Sequence, residues 1–176
     1  MEKVTEPRYK SHNKISNNKT YVLFPRGIKY YLYFTLKNNS NICLLYDKNK
    51  KYIKNVYLSF NISLSEGTIM YGTLNHNNFV IENLLLYKNK KIQNNIYNLD
   101  LILYILKYEI NERSIKETLK IKIPYMTNTK CIYSFSNISY SVYSVVEYNT
   151  YNMFLLKNMF GNFIIKKDKN ILNVYN

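Results

Sequence analysis

Tryptophan and alanine are absent from this chain, and its acids are few: 11 aspartates and glutamates stand against 25 lysines and arginines. The missing tryptophan removes the strongest cation–π ring. Only two cysteines occur, Cys43 and Cys131. They are far apart and in apolar surroundings, which reads as two buried thiols rather than a disulfide or a metal pair. The two histidines, His12 and His76, have no cysteine or aspartate cluster beside them, so neither a metal nor a cofactor is expected. No Ser-His-Asp or Cys-His arrangement stands out. No run approaches the roughly 20 apolar residues that a membrane helix needs. The opening MEKVTEPRYKSHNK lacks a signal-peptide core. The expectation is a chain that folds in the cytosol or nucleus, with no membrane partner.

What is present argues for a folded protein. Hydrophobic residues make up 47% of the 176, enough for a core and against wholesale disorder. The formal net charge of +14 favours anionic partners such as nucleic acid or a phosphate-rich ligand. A second source of the charge stands beside the first. Asparagine, lysine, isoleucine and tyrosine dominate and share A/T-rich codons, so a genome drifting toward A and T gives this balance without selection. Arginine, the better phosphate fork, is rare.

Along the chain, residues 1–18 are polar and predict a flexible arm, and 19–176 read as a single domain without repeats. Aromatic and β-branched residues at 21–24 and 30–36 predict strands, with a turn at Pro25-Arg26-Gly27. Asn38-Asn39-Ser40 predicts the next turn, 42–46 a strand, 47–51 a tight polar connection and 52–60 a further strand. Segments 68–74 and 79–87 predict a hairpin across Asn75-His76-Asn77-Asn78. From 94 to 108, Ile96, Leu99, Leu103 and Leu106 recur at spacings of three and four, with Ile102 and Ile110 alongside, the mark of an amphipathic helix. Glu109, Glu112 and Glu117, with Arg113 and Lys116 between them, read as a solvated, charge-paired face. Alternation at 119–124 predicts a half-exposed strand, 127–137 a short second helix, and 140–148, 153–159 and 162–167 three closing strands. The expected class is α+β, with mostly antiparallel sheets and about two helices.

Three segments in order carry a resemblance. Phe24-Pro25-Arg26-Gly27-Ile28-Lys29-Tyr30 resembles the first motif, Lys-x-Asp-Gly-x-Arg, of the mRNA capping guanylyltransferases and the ATP-dependent DNA and RNA ligases. Glu66-Gly67-Thr68-Ile69 resembles their third motif, Asp-Gly-Glu-Leu, and FVIENLLLYKNKKI (79–92) resembles the strand that follows it. The resemblance implies a nucleotidyltransferase-like fold. It spans about residues 21–108, and Lys157 or the lysines at 166–167 stand for the family's last lysine strand.

The departures from the pattern imply loss of activity. Phe24 stands where the family's lysine attacks the α-phosphate, and a phenyl ring has no nucleophile. Arg26 replaces an aspartate, Thr68 a glutamate and Asn83 an aspartate, although Glu82 adjoins it. The carboxylates expected near magnesium are thinned out. The Pro25-Arg26-Gly27 turn is similar to one in the cap-binding domain of snurportin, which resembles a guanylyltransferase without its lysine. The whole pattern is also similar to small proteins of large AT-rich DNA viruses.

The resemblance therefore implies a catalytically inactive protein, in the cytoplasm or a virion, with no catalytic residue of its own. It would bind RNA 5′ ends, nucleotide or a partner protein through Arg26, Gly27, Lys29, Tyr31, Tyr33 and Lys157. The rings would stack bases and the cations would neutralise phosphate. The absence of tryptophan counts against a methylated guanine as the specific ligand. The alternative is a structural or interaction subunit, either of a virus particle or beside a capping or transcription enzyme.

Overall fold

Asparagine punctuates this fold. In the computed structural model, Asn38 and Asn39 take φ of 50° and 59°, and Lys88 and Asn89 take 49° and 61°. Paired left-handed residues are the geometry of a type I′ hairpin turn, and asparagine tolerates it better than other side chains. His76 (φ 53°) opens a third two-residue turn. Each turn joins strands in unbroken register at its mouth, pairing Lys37 with Ser40, Asn75 with Asn78 and Tyr87 with Lys90.

The structure describes residues 10–11, 18–47, 49–92, 98–111, 119–128, 138–148, 152–155, 165–168 and 171–174. In chain order the first strands are β1 (Lys10–Ser11), β2 (Thr20–Pro25), β3 (Ile28–Lys37), β4 (Ser40–Asp47), β5 (Tyr52–Val56), β6 (Ser59–Phe60), β7 (Thr68–Asn75) and β8 (Asn78–Tyr87). Then come β9 (Lys90–Lys91), β10 (Ile110–Asn111), β11 (Lys120–Lys122), β12 (Tyr125–Asn128), β13 (Val142–Glu147), β14 (Asn152–Leu155), β15 (Ile165–Asp168) and β16 (Ile171–Val174). The chain divides into two compact units, one on Gly27–Ile123 and one on Arg8–Arg26 with Pro124–Asn176.

The first unit is built on a seven-stranded sheet in the order β11-β8-β7-β3-β4-β5, with β9 beside β8. Its pairings are antiparallel except β11 with β8. Side chains alternate between faces along a strand. Leu32 and Phe34 of β3 are buried on one face, over Leu45 and Cys43 of β4 and Met70 of β7. Phe34 meets Phe60 edge-on at 4.9 Å between ring centroids. Each such side chain contributes roughly 1.5–3 kcal/mol by leaving water. The opposite face carries Tyr31, Tyr33, Leu44, Tyr46, Ile69 and Tyr71.

The second unit holds a sheet in the order β1-β14-β13-β2-β12. The Tyr140 hydroxyl donates to the Leu23 carbonyl (2.8 Å) and accepts the Tyr125 N–H (2.7 Å), so one ring ties β2 to β12. β15 and β16 form an antiparallel pair.

The expected α+β, nucleotidyltransferase-like class with about two helices does not form; the chain is β-rich. The described helical residues are a six-residue helix α1 (Leu99–Tyr104), which runs into a π turn at Ile105–Glu109, and a 3₁₀ turn at Ile62–Glu66. The expected Leu99, Leu103 and Leu106 are not the buried residues, but Ile102 and Ile110, expected alongside them, are. Ile102, Ile105 and Glu109 are buried, and Leu103 is 41% exposed. Of the second expected helix, Thr127 and Asn128 instead belong to β12, drawn out by antiparallel pairing with β2. Residues 129–137 lie outside the described residues, as do most of the arm at 1–18 and Cys131. The strand expected over 52–60 breaks at Tyr57-Leu58 into β5 and β6. No helix among the described residues is long and apolar enough to cross a membrane.

Candidate functional site

Gly27 and Gly67, central to the resemblance, have steric reasons to be glycine. A Cβ on Gly27 would stand 2.5 Å from Thr73 Cγ2 and 2.9 Å from the Leu74 carbonyl oxygen. Gly67 ends the 3₁₀ turn at φ 104°, where its N–H bonds the Leu64 carbonyl. That conformation favours glycine, and Glu66 beside it is exposed.

Arg26 is exposed, and its N–H donates to the Ser141 carbonyl at 2.7 Å. It belongs to the second unit and Lys29 to the first. The Lys29 ammonium ion-pairs with the Glu82 carboxylate and bonds the Thr73 hydroxyl, which itself donates to Glu82. Glu82 is buried beside a register shift in the β7–β8 ladder between Tyr71 and Gly72. Such a bulge re-aims side chains. Burial pushes the Glu82 carboxyl above the usual carboxylate range, while Lys29 and Thr73 pull the other way. The Lys29 charge expected for phosphate is thus met inside the protein. Phe24 is buried in β2, and Lys157 lies outside the described residues.

The other buried glutamates are also matched. Glu109, expected on a solvated face, is buried at the π turn. It accepts from Lys88 Nζ at 2.6 Å, from the Tyr87 hydroxyl at 3.2 Å and from Ser63 Oγ at 3.2 Å. The bond to Glu109, and after it the one to Tyr87, raises the Lys88 ammonium above the usual lysine range. In the second unit, Glu147 meets Lys19 at 2.8 Å. Asp47 is buried and caps its turn, accepting the Asn49 and Lys50 N–H groups at 2.9 and 3.1 Å. Burial raises the Cys43 thiol far above its ordinary range, which makes it inert. Among the described residues no three His, Cys, Asp or Glu side chains gather as a metal site.

Tyr31 and Tyr33 do come together. Tyr31 is buried, with ring centroids 5.4 Å from Tyr71, 6.1 Å from Tyr46 and 6.4 Å from Tyr33. Tyr33 is half-exposed and lines an open apolar concavity of about 360 Å³ with Thr35, Leu44, Tyr46 and Ile53. Burial and the neighbouring Tyr46 raise the Tyr33 phenol, so it stays a neutral donor at physiological pH. The register explains the grouping: Tyr33 faces Leu44, Thr35 faces Ile42, and the row Tyr31–Tyr46–Ile53 crosses three strands.

Sequence reasoning missed Thr35, Leu44, Tyr46 and Ile53. The Asn38-Asn39 turn was the available signal. A two-residue hairpin fixes which residues oppose each other, and counting outward from it sets Leu44 against Tyr33. No protein-family model matches this chain, and no curated protein matches it.

Proposed function

We propose that this is a non-catalytic interaction protein that engages a partner through the aromatic face of β3, β4 and β5. The observation that carries the reading is the concavity of Tyr33, Thr35, Leu44, Tyr46 and Ile53. It is open, apolar and at the end of the seven-stranded sheet. Apolar pockets with a few polar groups are the usual binding sites of proteins. The buried glutamates are closed in ion pairs instead, Glu82 with Lys29, Glu109 with Lys88 and Glu147 with Lys19, and the buried Asp47 caps a turn. Closed pairs suit a scaffold better than acid–base or phosphoryl chemistry, which needs groups poised to change their charge. A virus particle or a transcription assembly is the setting that the likeness to small proteins of large AT-rich DNA viruses suggests.

The test is hydrogen exchange on the chain alone and in the assembly purified from its native cells. Amides of 44–56 are expected to slow in the assembly. An assembly that leaves those amides unchanged, or a chain that enters none, overturns the reading. Incubation with labelled GTP or ATP and magnesium is expected to leave no covalent band on a denaturing gel.

A second reading, binding of RNA 5′ ends or nucleotide, is favoured by the half-exposed rings of Tyr33 and Tyr46 and the net charge of +14. Stacking on one such ring contributes about 1–3 kcal/mol per base. This reading expects affinity for short single-stranded RNA that falls steeply with salt and weakens with Tyr33→Ala.

A further inference from the structure

Resting on the interaction reading, we propose that β5 is an acceptor edge for an extended acidic segment of a partner protein. The segment adds as one more strand and places an apolar side chain in the neighbouring concavity.

Three observations converge on β5. It ends the sheet order, and among the described residues no strand pairs with its outer side. An edge strand offers a row of N–H and C=O groups to a new chain. Its pairing with β4 runs without a bulge from Tyr52 to Val56, and the strand contains no proline. Two common ways of blunting an edge are therefore missing. Tyr52 and Ile53 are 57% and 58% exposed there.

The two faces of the edge differ, and this sets what the added strand must carry. Ile53 and Asn55 share the face of the concavity, opposite Tyr46 and Leu44. Lys54 sits on the other face, exposed beyond the buried Leu45. A strand laid about 4.8 Å from β5 puts alternate side chains beside Ile53 and beside Lys54. An aromatic or long aliphatic group beside Ile53 reaches toward Leu44, Tyr46 and Tyr33, since diagonal neighbours lie within reach of long side chains. The intervening positions meet Lys54.

Charge selects the partner's sign. Between Lys37 and Ser65 the sequence has Lys37, Lys48, Lys50, Lys51 and Lys54, and its only acid is Asp47, which is buried in its own turn. Lys50, Lys51 and Lys54 are exposed. A lysine on an edge also discourages pairing with a second copy of a basic chain. An acidic segment meets no such repulsion. Strand addition of this kind takes its affinity from main-chain bonds and its specificity from pockets for alternate side chains.

The experiment uses the full chain and three ten-residue peptides: one alternating glutamate with phenylalanine, one alternating lysine with phenylalanine, and the glutamate peptide N-methylated at alternate residues. The acidic peptide is expected to bind. Ile53→Asp should weaken it about 10- to 100-fold, the cost of losing one buried apolar contact, and Lys54→Glu should weaken it less. The lysine peptide should fail to bind, and N-methylation, which removes backbone donors, should abolish binding.

Equal binding of acidic and basic peptides, or indifference to N-methylation, overturns the proposal. So does short single-stranded RNA that binds the wild type and is lost with Ile53→Asp, because the surface then belongs to nucleic acid. Peptide failure alongside slowed 44–56 amides in the native assembly sinks strand addition and leaves the interaction reading in place.

Discussion

At the scale of single residues, Gly72 and Glu109 show how little side-chain identity says without a partner. Gly72 lies in β7 next to a register shift, and a Cβ there would stand 2.2 Å from the Val80 carbonyl oxygen and 2.9 Å from Phe79 Cζ. The nearer obstacle is backbone and cannot swing aside. Gly72→Ala is expected to destabilise by roughly 3 kcal/mol, the upper end of overpacking costs. In urea this appears as a lower midpoint at unchanged slope. Glu109 reads as solvated from its charged sequence neighbours, yet its partners Ser63, Tyr87 and Lys88 are distant in sequence or on another element. Removing the cation leaves a buried carboxylate with only hydroxyl donors. Lys88→Met is therefore expected to cost about 2–4 kcal/mol, reduced from the fully buried case because Lys88 is 28% exposed. The pH sign follows from the raised Lys88 pKa. The pair's contribution is fully present below the unfolded lysine pKa of about 10.4 and is lost as pH rises through the higher folded value. Denaturation curves from pH 8 to 12 are expected to show less alkaline destabilisation in Lys88→Met than in the wild type.

At the scale of elements, the hairpins were legible, and of the helix its place within 94–108 but not its length or its buried face. Asn38-Asn39 and Asn75-His76-Asn77-Asn78 are turn chemistry that acts within four residues, so the sequence alone places β3, β4, β7 and β8. Position 39 carries a positive φ of 59°, which glycine adopts without penalty. Asn39→Gly is expected to be neutral or stabilising by up to about 0.5 kcal/mol, and Asn39→Val to destabilise by about 1–2 kcal/mol, since a β-branched residue resists that conformation. Thermal midpoints of the two variants check the order. The helix is legible in place but not in face. Its 3.6-residue period marks Leu99, Leu103 and Leu106, with Ile102 and Ile110 alongside, but burial falls on Ile102, Ile105 and Glu109, which are also three and four apart, so the period allows either stripe and the packing decides. The strand FVIENLLLY hides its faces too: nearly continuous apolar residues and two register shifts leave no alternation to read. The shift between Tyr71 and Gly72 lies at Glu82, which meets Lys29, a pairing that the residues around the Pro25-Arg26-Gly27 turn do not announce. Tyr31 and Tyr33 were identifiable as rings on a strand, and their companions Leu44 and Tyr46 only through the hairpin register.

At the scale of the whole molecule, the two units differ in how far apart in sequence their pairings lie. The first closes through β3–β4 and β7–β8, where each strand pairs across a two-residue turn. In the second, β2 at Thr20–Pro25 pairs with β13 at Val142–Glu147 and with β12 at Tyr125–Asn128, so more than a hundred residues separate its central partners. Such pairings form late, because loop-closure entropy is lost before the contacts compensate it. Hairpins form in roughly 1–10 μs, whereas sheets dominated by distant pairing fold in roughly milliseconds to seconds. Pulse-labelled hydrogen exchange during refolding is expected to protect amides of β3, β4, β7 and β8 first, and those of β2, β12 and β13 later. Lys19→Ala removes a contact to Glu147 that forms only when β2 and β13 have met, so it should speed unfolding and leave the early protection unchanged. Simultaneous protection of all seven strands would mean that the sheets assemble in one step, and sequence separation would then not set the order of folding.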